Sequence, residues 1–515
     1  MNLKAVLERS ASRYGSREAL VYGDRRLFYT DLLQASNRLA SALQRSGIKK
    51  GDRVALFLSN TPEFLISFFG ITGIGAIALP LDQQYKFGEM RSILSHASPA
   101  AIISEQTALD VLAPLIPECD SIQLVIETGT DGKGRFPSFN AFLASGSTEW
   151  PDSGPLPEDI AAIMYTSSPS FQPRGVMLSH DSFVKEAMAS SEGYHQTADD
   201  IMMLFALPMF HVFGLVAAGL SSIYSGSSVV LVPGTGLSIG SFMTAIEREK
   251  GTMFPGVPYI FTLAVDMAEK GGLTADISSL RLCASAGAPL SPSIAARFTS
   301  LFGYDIMDCY GLTEAVCHIT CPSIDTAPVP GSVGKPLSGW EIKIAGENGD
   351  ELPPGRPGEM LVAGPIMKGY FHDPGATEDA IKDGWLHTGD IGMKDEDGLL
   401  YVTGRKKETI IVKGQNVFPS DIECVIAAHP GVDDVAVMGL PDAMRGEIIG
   451  AVVTPKSGYN LTVQEIRQTC LERIAGYKVP KSILFTGQMP RTAGGEIDKD
   501  ALRQRLSLPP VFPVA

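Results

Sequence analysis

The sequence predicts an α/β protein with a large N-terminal domain of layered α/β subdomains and a small α+β C-terminal domain. Its 515 residues are enough for about three domain-sized units. Short apolar runs alternate with amphipathic helical segments through the first 300 residues, which is typical of parallel sheets covered by helices. After about Gly331, shorter strands separated by Gly, Pro and Asp turns predict a small antiparallel sheet or barrel region.

The elements of the first 300 residues follow from apolar periodicity and flanking turns. Helical spacing of apolar residues predicts helices over Leu3–Tyr14, Leu33–Leu43 and Phe242–Glu249. Short apolar runs bounded by turn residues predict strands over Val54–Leu58, Ala76–Leu79, Ala100–Ile103, Ile160–Tyr165, Val229–Val232 and Leu280–Ala284.

One uncharged segment, Phe64–Leu81, has 18 residues and approaches the length of a membrane-spanning helix. Gly73 and Pro80 interrupt it. We therefore expect a buried helix over Pro62–Gly73 followed by the strand at Ala76–Leu79, and no integral membrane association.

A charged stretch, GRKKE, starts at Gly404 and separates two regions of the chain. We expect an N-terminal domain at residues 1–403 and a mobile C-terminal domain at residues 404–515. The strands predicted on either side are Glu341–Ile344, Glu359–Val362, Ile391–Met393 and Leu400–Val402 before the stretch, and Ile410–Val412, Val435–Gly439 and Ile449–Thr454 after it.

Charge and cysteine content limit the possible functions. The net charge of −15 argues against a nucleic-acid partner, because binding a polyanion needs a basic surface. Seven cysteines form an odd, sparse set, which indicates reduced thiols in a cytoplasmic protein. The group Cys309, Cys317, His318 and Cys321 lacks a paired CxxC or HxxxH unit, so we expect no zinc site there. Met1–Tyr14 is charged and does not resemble an export signal.

A polar turn, YTSSPSFQPRGV, follows the predicted strand that ends at Tyr165. Backbone N–H groups and hydroxyls in such a turn can hold phosphate oxygens, although the same composition also suits a surface loop. The candidate phosphate ligands are Thr166, Ser167, Ser168, Ser170 and Arg174.

Four further segments favour the phosphate-binding interpretation. SAGAPL starts at Ser285, YGLTEA at Tyr310, GWLHTGD at Gly384 and GRKKETIIVKGQNVFPSDIE at Gly404. In order and spacing, these segments and the polar turn resemble the adenylate-forming superfamily, which includes acyl-CoA synthetases, aryl-CoA ligases, luciferases and the adenylation domains of peptide synthetases. The resemblance extends over essentially the whole chain.

The resemblance implies an ATP site built from these segments. Asp308 would accept a hydrogen bond from the exocyclic amine of adenine, and Tyr310 would stack on the purine. The remaining implied adenine contacts are Gly287, Ala288, Pro289 and Gly311.

The same resemblance implies contacts with magnesium, phosphate and ribose. Glu314 would bind Mg²⁺, since a hard cation prefers carboxylate oxygens, and Thr313 would contact the α-phosphate. Asp390 would accept hydrogen bonds from both ribose hydroxyls, and Arg405 would close over the ribose and the phosphate.

The segment LPMFHVFGL, which starts at Leu207, resembles the family segment that lines the carboxylate pocket. His211 would lie near the carboxylate, and the apolar neighbours suggest an apolar or aromatic acyl group, although they also suit core packing. The implied pocket residues are Phe210, His211, Val212, Phe213, Val257 and Gly287.

The C-terminal segment matches the family at a hinge between the two half-reactions and at a loop used in the second one. Lys407 matches the hinge about which the C-terminal domain rotates, and Lys413, Gly414 and Gln415 match the loop that lines the pantetheine tunnel of CoA. A solvated, charged linker would have a similar composition.

Two departures from the family pattern affect the adenylation step. The family turn reads YTSGTTGxPKGV, whereas Ser168 and Phe171 stand at glycine positions, Pro169 at a threonine and Arg174 at the lysine. Pro169 also removes a backbone N–H donor. Glu496 stands where the family has a lysine that bridges the acid and the α-phosphate. Loss of such a contact costs about 10²–10³ in rate.

The sequence therefore predicts an acid–CoA ligase that uses ATP, Mg²⁺ and CoA on a small, apolar fatty or aromatic carboxylic acid, as a monomer or dimer, with adenylation slowed by Glu496. Two alternatives keep the fold: a homologue that binds nucleotide without catalysis, and an adenylating enzyme with an amine or carrier-protein acceptor. A third is a serine hydrolase with Ser238 in GLSIG, a pattern short enough to arise by chance.

Overall fold

The computed structural model describes residues 1–129, 134–150, 154–166, 174–232, 239–405, 409–442, 444–490 and 497–507, with the backbone alone at 405, 416, 420, 500, 504, 505 and 507. Packing divides the chain into two compact units. The first comprises Met1–Gln83, Ala97–Tyr165 and Gly175–Lys406, and the second comprises Gln84–His96, Thr166–Arg174 and Lys407–Ala515.

The strands have the following bounds: β1 Glu18–Tyr22, β2 Arg25–Phe28, β3 Arg53–Phe57, β4 Ile77–Pro80, β5 Ala101–Glu105, β6 Leu124–Thr128, β7 Ile160–Thr166, β8 Arg174–Ser179, β9 Ile201–Leu204, β10 Ser228–Leu231, β11 Met253–Gly256, β12 Leu282–Ser285, β13 Ile306–Asp308, β14 Tyr310–Gly311, β15 His318–Cys321, β16 Lys335–Pro336, β17 Glu341–Ala345, β18 Gly358–Ala363, β19 Gly369–Tyr370, β20 Ile381–Lys382, β21 Trp385–Lys394, β22 Leu400–Arg405, β23 Ile410–Val412, β24 Gln415–Val417, β25 Val432–Asp442, β26 Gly446–Pro455 and β27 Ser482–Phe485.

The α-helices are α1 Leu3–Tyr14, α2 Tyr29–Arg45, α3 Pro62–Gly73, α4 Phe87–Ala97, α5 Leu109–Leu112, α6 Phe139–Ala144, α7 His180–Gly193, α8 Ser221–Ser225, α9 Ile239–Glu249, α10 Pro258–Glu269, α11 Pro292–Phe302, α12 Pro374–Ala380, α13 Pro419–Ala427, α14 Val463–Arg473 and α15 Lys499–Ser507. A π-helix covers Phe213–Leu220, and 3₁₀ turns cover Gln106–Ala108, Ile116–Glu118, Thr313–Ala315 and Gly476–Lys478.

Two seven-stranded sheets carry the α/β part, in the orders β13-β12-β11-β9-β10-β1-β2 and β19-β8-β7-β4-β3-β5-β6. From β13 to β1 the first sheet is parallel, and β2 adds an antiparallel edge. In the second sheet the strands from β7 to β6 run parallel. The predicted α/β class is confirmed, and the predicted strands of this part lie within two residues of those observed.

The uncharged segment Phe64–Leu81 begins within α3, a helix that is buried in the fold. Pro62 occupies the first turn, where its missing N–H costs nothing, and Glu63 is the one helix residue that is not buried. The indole of Trp150 packs so closely on Gly73 that a side chain would not fit there. Among the described helices, none combines the length and apolar character needed to cross a bilayer.

The predicted antiparallel region is a sheet in the order β17-β18-β21-β20, with β22 beside β21. All its pairings are antiparallel. Strand β21 is long and carries the predicted ribose-binding residue Asp390, whose cross-strand partner on β22 is Arg405.

The long C-terminal segment of the second unit builds its own sheet, β24-β23-β26-β25, with β27 parallel to β26. Helix α13 packs on β25 and α14 on α13, around a core that includes Val437, Ala451 and Ile466. Within the same unit, Glu89 of α4 accepts a 2.5 Å ion-pair contact from Lys478 and a hydrogen bond from the backbone N–H of Ala475.

Candidate active site

Three neighbouring parallel strands of the first sheet end at one edge. Val257 follows β11, the segment Ala286–Pro289 follows β12, and Asp308 is the last residue of β13. The register pairs Gly256 with Ser285 and Ser285 with Asp308. Ligands of open α/β sheets bind outside the carboxyl ends of strands, so this edge brings together the residues predicted for adenine and for the acyl pocket.

The loop after β12 allows close approach by a ligand. Gly287 has a φ of +85°, which favours glycine, and both Gly287 and Pro289 are exposed while Ala288 is half-buried. The Oγ atom of Ser285 is buried without a hydrogen-bond partner in the described structure. Since buried hydroxyls are normally paired, Ser285 is a candidate ligand contact that the sequence did not single out.

Asp308 is half-buried at the same edge. Burial raises the pKa of its carboxyl to about 7, and a hydrogen bond with the Leu290 backbone opposes this rise. The carboxyl therefore changes its charge near neutral pH and can act as a hydrogen-bond acceptor of variable strength.

Tyr310 and Asp390 meet at the site although they belong to different sheets. The Tyr310 hydroxyl donates a 2.6 Å hydrogen bond to Oδ2 of Asp390, and both side chains are buried. The backbone N–H of Asp390 donates to Oγ1 of Thr388 at 3.0 Å, which fixes the turn before it. This bond joins the residues predicted for purine and ribose.

The segment after Tyr310 turns tightly. Gly311 lies so close to the carbonyl of Cys317 that a Cβ atom would overlap it. Thr313 and Glu314 form the 3₁₀ turn that follows, and both are half-buried. The hydroxyl of Tyr370 donates to Oε1 of Glu314 at 3.0 Å and thereby orients the carboxylate predicted to bind Mg²⁺.

The side-chain amide of Asn60 fixes the start of the segment that is predicted to line the acyl pocket. Nδ2 of Asn60 donates to the carbonyl of Leu207 at 2.8 Å, and Oδ1 of Asn60 accepts from the N–H of Met209 at 2.8 Å. Phe210 and His211 follow and are half-buried. Burial lowers the pKa of His211, so the imidazole is neutral near pH 7.

The other predicted wall residues differ in burial. Val212 and Phe213 are buried in the main core, where the Phe213 ring packs edge-on against His318 with the ring centres 5.1 Å apart. Val257 is half-buried at the start of α10. The core-packing alternative therefore applies more strongly to Val212 and Phe213 than to Phe210, His211 or Val257.

Several predicted residues lie outside the described ranges: Ser167, Ser168, Pro169, Ser170, Phe171, Lys407, Ser238 and Glu496. Around the phosphate turn, the structure describes Thr166 at the end of β7 and Arg174 at the start of β8, both half-buried. For Arg405 it describes the backbone, which pairs with Asp390.

The predicted CoA loop of the second unit is a two-residue hairpin turn. Lys413 and Gly414 have φ values of +52° and +81°, as in a type I′ turn between β23 and β24. Burial lowers the pKa of Lys413, as do the nearby charges of Arg445 and Lys481. Oε1 of Gln415 is buried without a hydrogen-bond partner among the described residues.

Besides Ser285, sequence reasoning missed two candidate site residues, Asn60 and Tyr370. Asn60 belongs to a short polar run after β3, and polar residues at the carboxyl end of a parallel strand are a usable signal. Tyr370 follows no motif, and its contact with Glu314 crosses 56 residues of sequence, so sequence reasoning had no signal for it.

A separate polar cluster is buried in the first unit. Glu186 accepts hydrogen bonds from Nε1 of Trp340 at 2.8 Å and from Oγ of Ser190 at 3.0 Å. Burial raises the pKa of Glu186 to about 8 and lowers the pKa of His318 to about 3. The ligand atoms of Glu186, Cys317 and His318 lie within 4.8 Å of one another. The hydrogen bonds to Glu186 account for the cluster as a polar core network.

The chain matches two family models and known proteins along most of its length. The family model described as "AMP-binding enzyme" matches residues 7–371, and the model described as "AMP-binding enzyme C-terminal domain" matches residues 421–496. A feruloyl-CoA synthase from Amycolatopsis sp is 32% identical over 492 residues, covering 95% of each chain. A long-chain-fatty-acid–CoA ligase from Bacillus subtilis is 31% identical, covering 98% of this chain and 94% of the relative.

Among solved structures, the amide bond synthetase McbA from Marinactinospora thermotolerans superposes with a TM-score of 0.89 at 27% identity, covering 98% of this chain and 99% of McbA. The fold, the order of the sequence segments and the long matches all point to the same family. The chain therefore belongs to the AMP-binding enzyme family, the adenylate-forming enzymes that include acyl-CoA and aryl-CoA ligases.

Proposed function

We propose that the protein is an AMP-forming ligase that joins an apolar, fatty or aromatic carboxylic acid to CoA through an acyl-adenylate. The observation that carries the proposal is the bond between Tyr310 and Asp390, next to the strand edge that holds Asp308 and the loop after β12. Together these residues offer a stacking ring, a carboxyl for the adenine amine and a carboxylate for the ribose hydroxyls.

In the first step, a carboxylate oxygen of the acid attacks the α-phosphorus of ATP, and pyrophosphate leaves. Asn60 fixes the segment that carries His211, and neutral His211 can donate a hydrogen bond to the acid without a net charge. Glu314, oriented by Tyr370, supplies the single carboxylate that suffices when substrate phosphates complete a Mg²⁺ site. When bound, the ion would neutralise charge on the phosphates.

In the second step, the thiol of CoA attacks the acyl carbon and AMP leaves. The turn at Lys413 and Gly414 suits a backbone that approaches a narrow ligand, and the unpaired Oε1 of Gln415 can accept a hydrogen bond from a pantetheine amide. Rotation at Lys407 would bring this turn to the nucleotide between the two steps, as the resemblance implies.

Adenylation is the step in which this chain departs from its family. Glu496 would repel both the acid and the α-phosphate, whereas Lys499 lies three residues later and pairs with Glu423 at 3.2 Å. We expect slow pyrophosphate exchange in the wild-type protein and a faster rate in Glu496→Lys. Equal rates with every acid tested would show that position 496 does not bear on adenylation.

The experiment that tests the proposed function is AMP release from ATP across a panel of fatty and aromatic acids, with and without CoA. A CoA-dependent increase with an apolar acid supports the ligase. Release with no acid of the panel, together with ATP binding by calorimetry, would identify a nucleotide-binding homologue without catalysis instead. A cytoplasmic location and a monomeric or dimeric state stay predictions.

A second candidate is an amide-forming enzyme in which an amine replaces CoA. The extensive likeness to McbA, an amide bond synthetase, favours including it. In the same panel, an amine acceptor that increases AMP release when CoA does not, with an amide detected by mass spectrometry, would distinguish this function from thioester formation.

A further inference from the structure

We propose that Cys309 and Cys321 form a reversible disulfide whose closure weakens nucleotide binding, so that the pair makes this enzyme sensitive to peroxide. Their Sγ atoms lie 3.3 Å apart, and both residues are free thiols. The effect on binding rests on the proposed function of the adenine site, whereas disulfide formation itself does not.

The pair occupies the position where the chain passes from one sheet to another. Cys309 is the single residue between β13, which ends at Asp308, and β14, which starts at Tyr310. Cys321 ends β15, and β14 and β15 are antiparallel with Tyr310 opposite Thr320. Cys309 and Cys321 flank this partner pair, which is the placement in which cross-strand side chains approach each other.

The two cysteines differ in their position relative to a cavity. Cys321 is 7% exposed and lines a cavity of about 460 Å³ together with His195, Ser323 and Lys335. Cys309 does not line this cavity. The hydrogen bond with Cys321 and burial both raise the pKa of the Cys309 thiol, which makes it a poor first target for peroxide. Oxidation therefore starts at Cys321.

Hydrogen peroxide is the only oxidant that the formation of this disulfide requires. The sulfur of Cys321 attacks one peroxide oxygen, the O–O bond breaks, and a sulfenic acid and one water result. The sulfur of Cys309 then attacks the sulfur of Cys321, and the hydroxyl leaves with the Cys309 proton as a second water. Two thiols lose two electrons and two protons, and one peroxide is reduced to two waters.

Closure changes the positions of the residues that flank Cys309. A disulfide bond is about 2.05 Å long, so the two sulfurs must approach from their separation of 3.3 Å. The backbone N–H of Cys309 is bound to the carbonyl of Ser285 at 2.7 Å, so its movement transfers strain to Asp308 and Tyr310 on either side. Misplacing a group that positions a substrate by about 1 Å can lower the reaction rate by about 10²-fold.

The test uses the intact protein with hydrogen peroxide as the oxidant. Free thiols are then blocked with iodoacetamide, and peptides are analysed without reduction while the Kd for ATP is measured by calorimetry. We expect a cross-linked Cys309–Cys321 peptide and a rise in Kd of at least about threefold. Dithiothreitol should reverse both changes.

Two serine variants give the test its specificity. Cys321→Ser should lose both the cross-link and the change in Kd, whereas Cys317→Ser, which removes a neighbouring buried thiol, should keep both. Thermal unfolding of the two variants checks that each is folded, and Cys321→Ala replaces Cys321→Ser if the serine unfolds the chain.

Three outcomes would overturn the proposal. In the first, peroxide yields only sulfinic acid on Cys321 and no cross-link. In the second, the cross-link forms but the Kd stays the same. In the third, Cys321→Ser responds as the wild-type protein does. If the reduced protein binds no ATP, the proposed function fails. A cross-link that forms in a protein without ATP binding would also remove the proposed regulatory role.

Discussion

The hydroxyl of Tyr310 donates a 2.6 Å hydrogen bond to the carboxylate of Asp390, across 80 residues of sequence. The two side chains are only 8% and 3% exposed, so Tyr310→Phe removes a hydrogen bond from a buried carboxylate. We expect a loss of about 1–3 kcal/mol in the free energy of unfolding and weaker binding of adenosine. Urea unfolding and calorimetry measure the two effects.

Tyr401→Phe is the matched control for that variant. The Tyr401 hydroxyl donates to Oδ2 of Asp395 at 3.1 Å, and both residues are part-exposed. Its loss should change stability less and leave adenosine binding intact. Equal losses in the two variants would contradict a special role for the buried pair.

Asp308 should make adenine binding depend on pH. Because burial raises its pKa to about 7, the carboxyl gains charge between pH 6 and pH 8 and becomes a stronger acceptor for the adenine amine. We expect the affinity for adenosine, which carries no phosphate, to rise across this interval. Asp308→Asn should make the profile flat, and an unchanged slope in that variant would refute the assignment.

Asn60 should matter for the acid and not for the nucleotide. Asn60→Ala removes both hydrogen bonds to the segment Leu207–Met209, so the acid KM should rise while the Kd for adenosine stays the same. Asn37→Ala serves as the control, since the Asn37 amide binds the distant carbonyl of Thr148. A similar KM change in both variants would indicate a general loss of packing.

Glu186 should make stability depend on pH. Its pKa is raised from 4.5 to about 8 in the folded chain, so its contribution is fully present below pH 4.5 and is lost as the pH rises through about 8. Stability should fall by up to about 1.4 kcal/mol per pH unit in this interval. Glu186→Gln should reduce the slope of unfolding free energy against pH. A slope identical to that of the wild-type protein would disprove the role of Glu186.

The buried pair between Glu89 and Lys478 should be costly to break. Their side chains are 10% and 8% exposed, so Glu89→Gln leaves a buried ammonium without its counter-charge. We expect a loss of about 3–5 kcal/mol in unfolding free energy. Glu269→Gln removes the partner of Arg297 in an exposed pair and should have little effect on urea unfolding. Comparable losses of unfolding free energy in the two variants would show that burial does not set the cost of breaking the ion pair.

Much of the fold could be predicted from the sequence because the apolar periodicity and the Gly and Pro residues at element boundaries indicate the same elements. Leu3–Tyr14 and Pro62–Gly73 are helices at the predicted bounds, and Gly15 and Pro62 mark where they end and begin. The π-helix at Phe213–Leu220 was not predictable in this way, since its continuous apolar composition carries no periodicity.

The motifs predicted residues that the structure brings close together. Asp308, Tyr310 and Asp390 come together because parallel strand ends and one long antiparallel strand place them there. The contacts of Asn60 and Tyr370 were not predictable, because they join segments 147 and 56 residues apart whose proximity arises only from tertiary packing.

The pairing of Asp390 with Arg405 limits what the proposed rotation of the C-terminal domain could change. Opposed antiparallel residues keep their Cα atoms about 4.5–5.5 Å apart, and both positions belong to the first unit. The backbone of Arg405 is therefore held beside the carboxylate that we propose for the ribose. A hinge at Lys407 would exchange only the groups supplied by later residues, so Arg405 would accompany the nucleotide in both half-reactions.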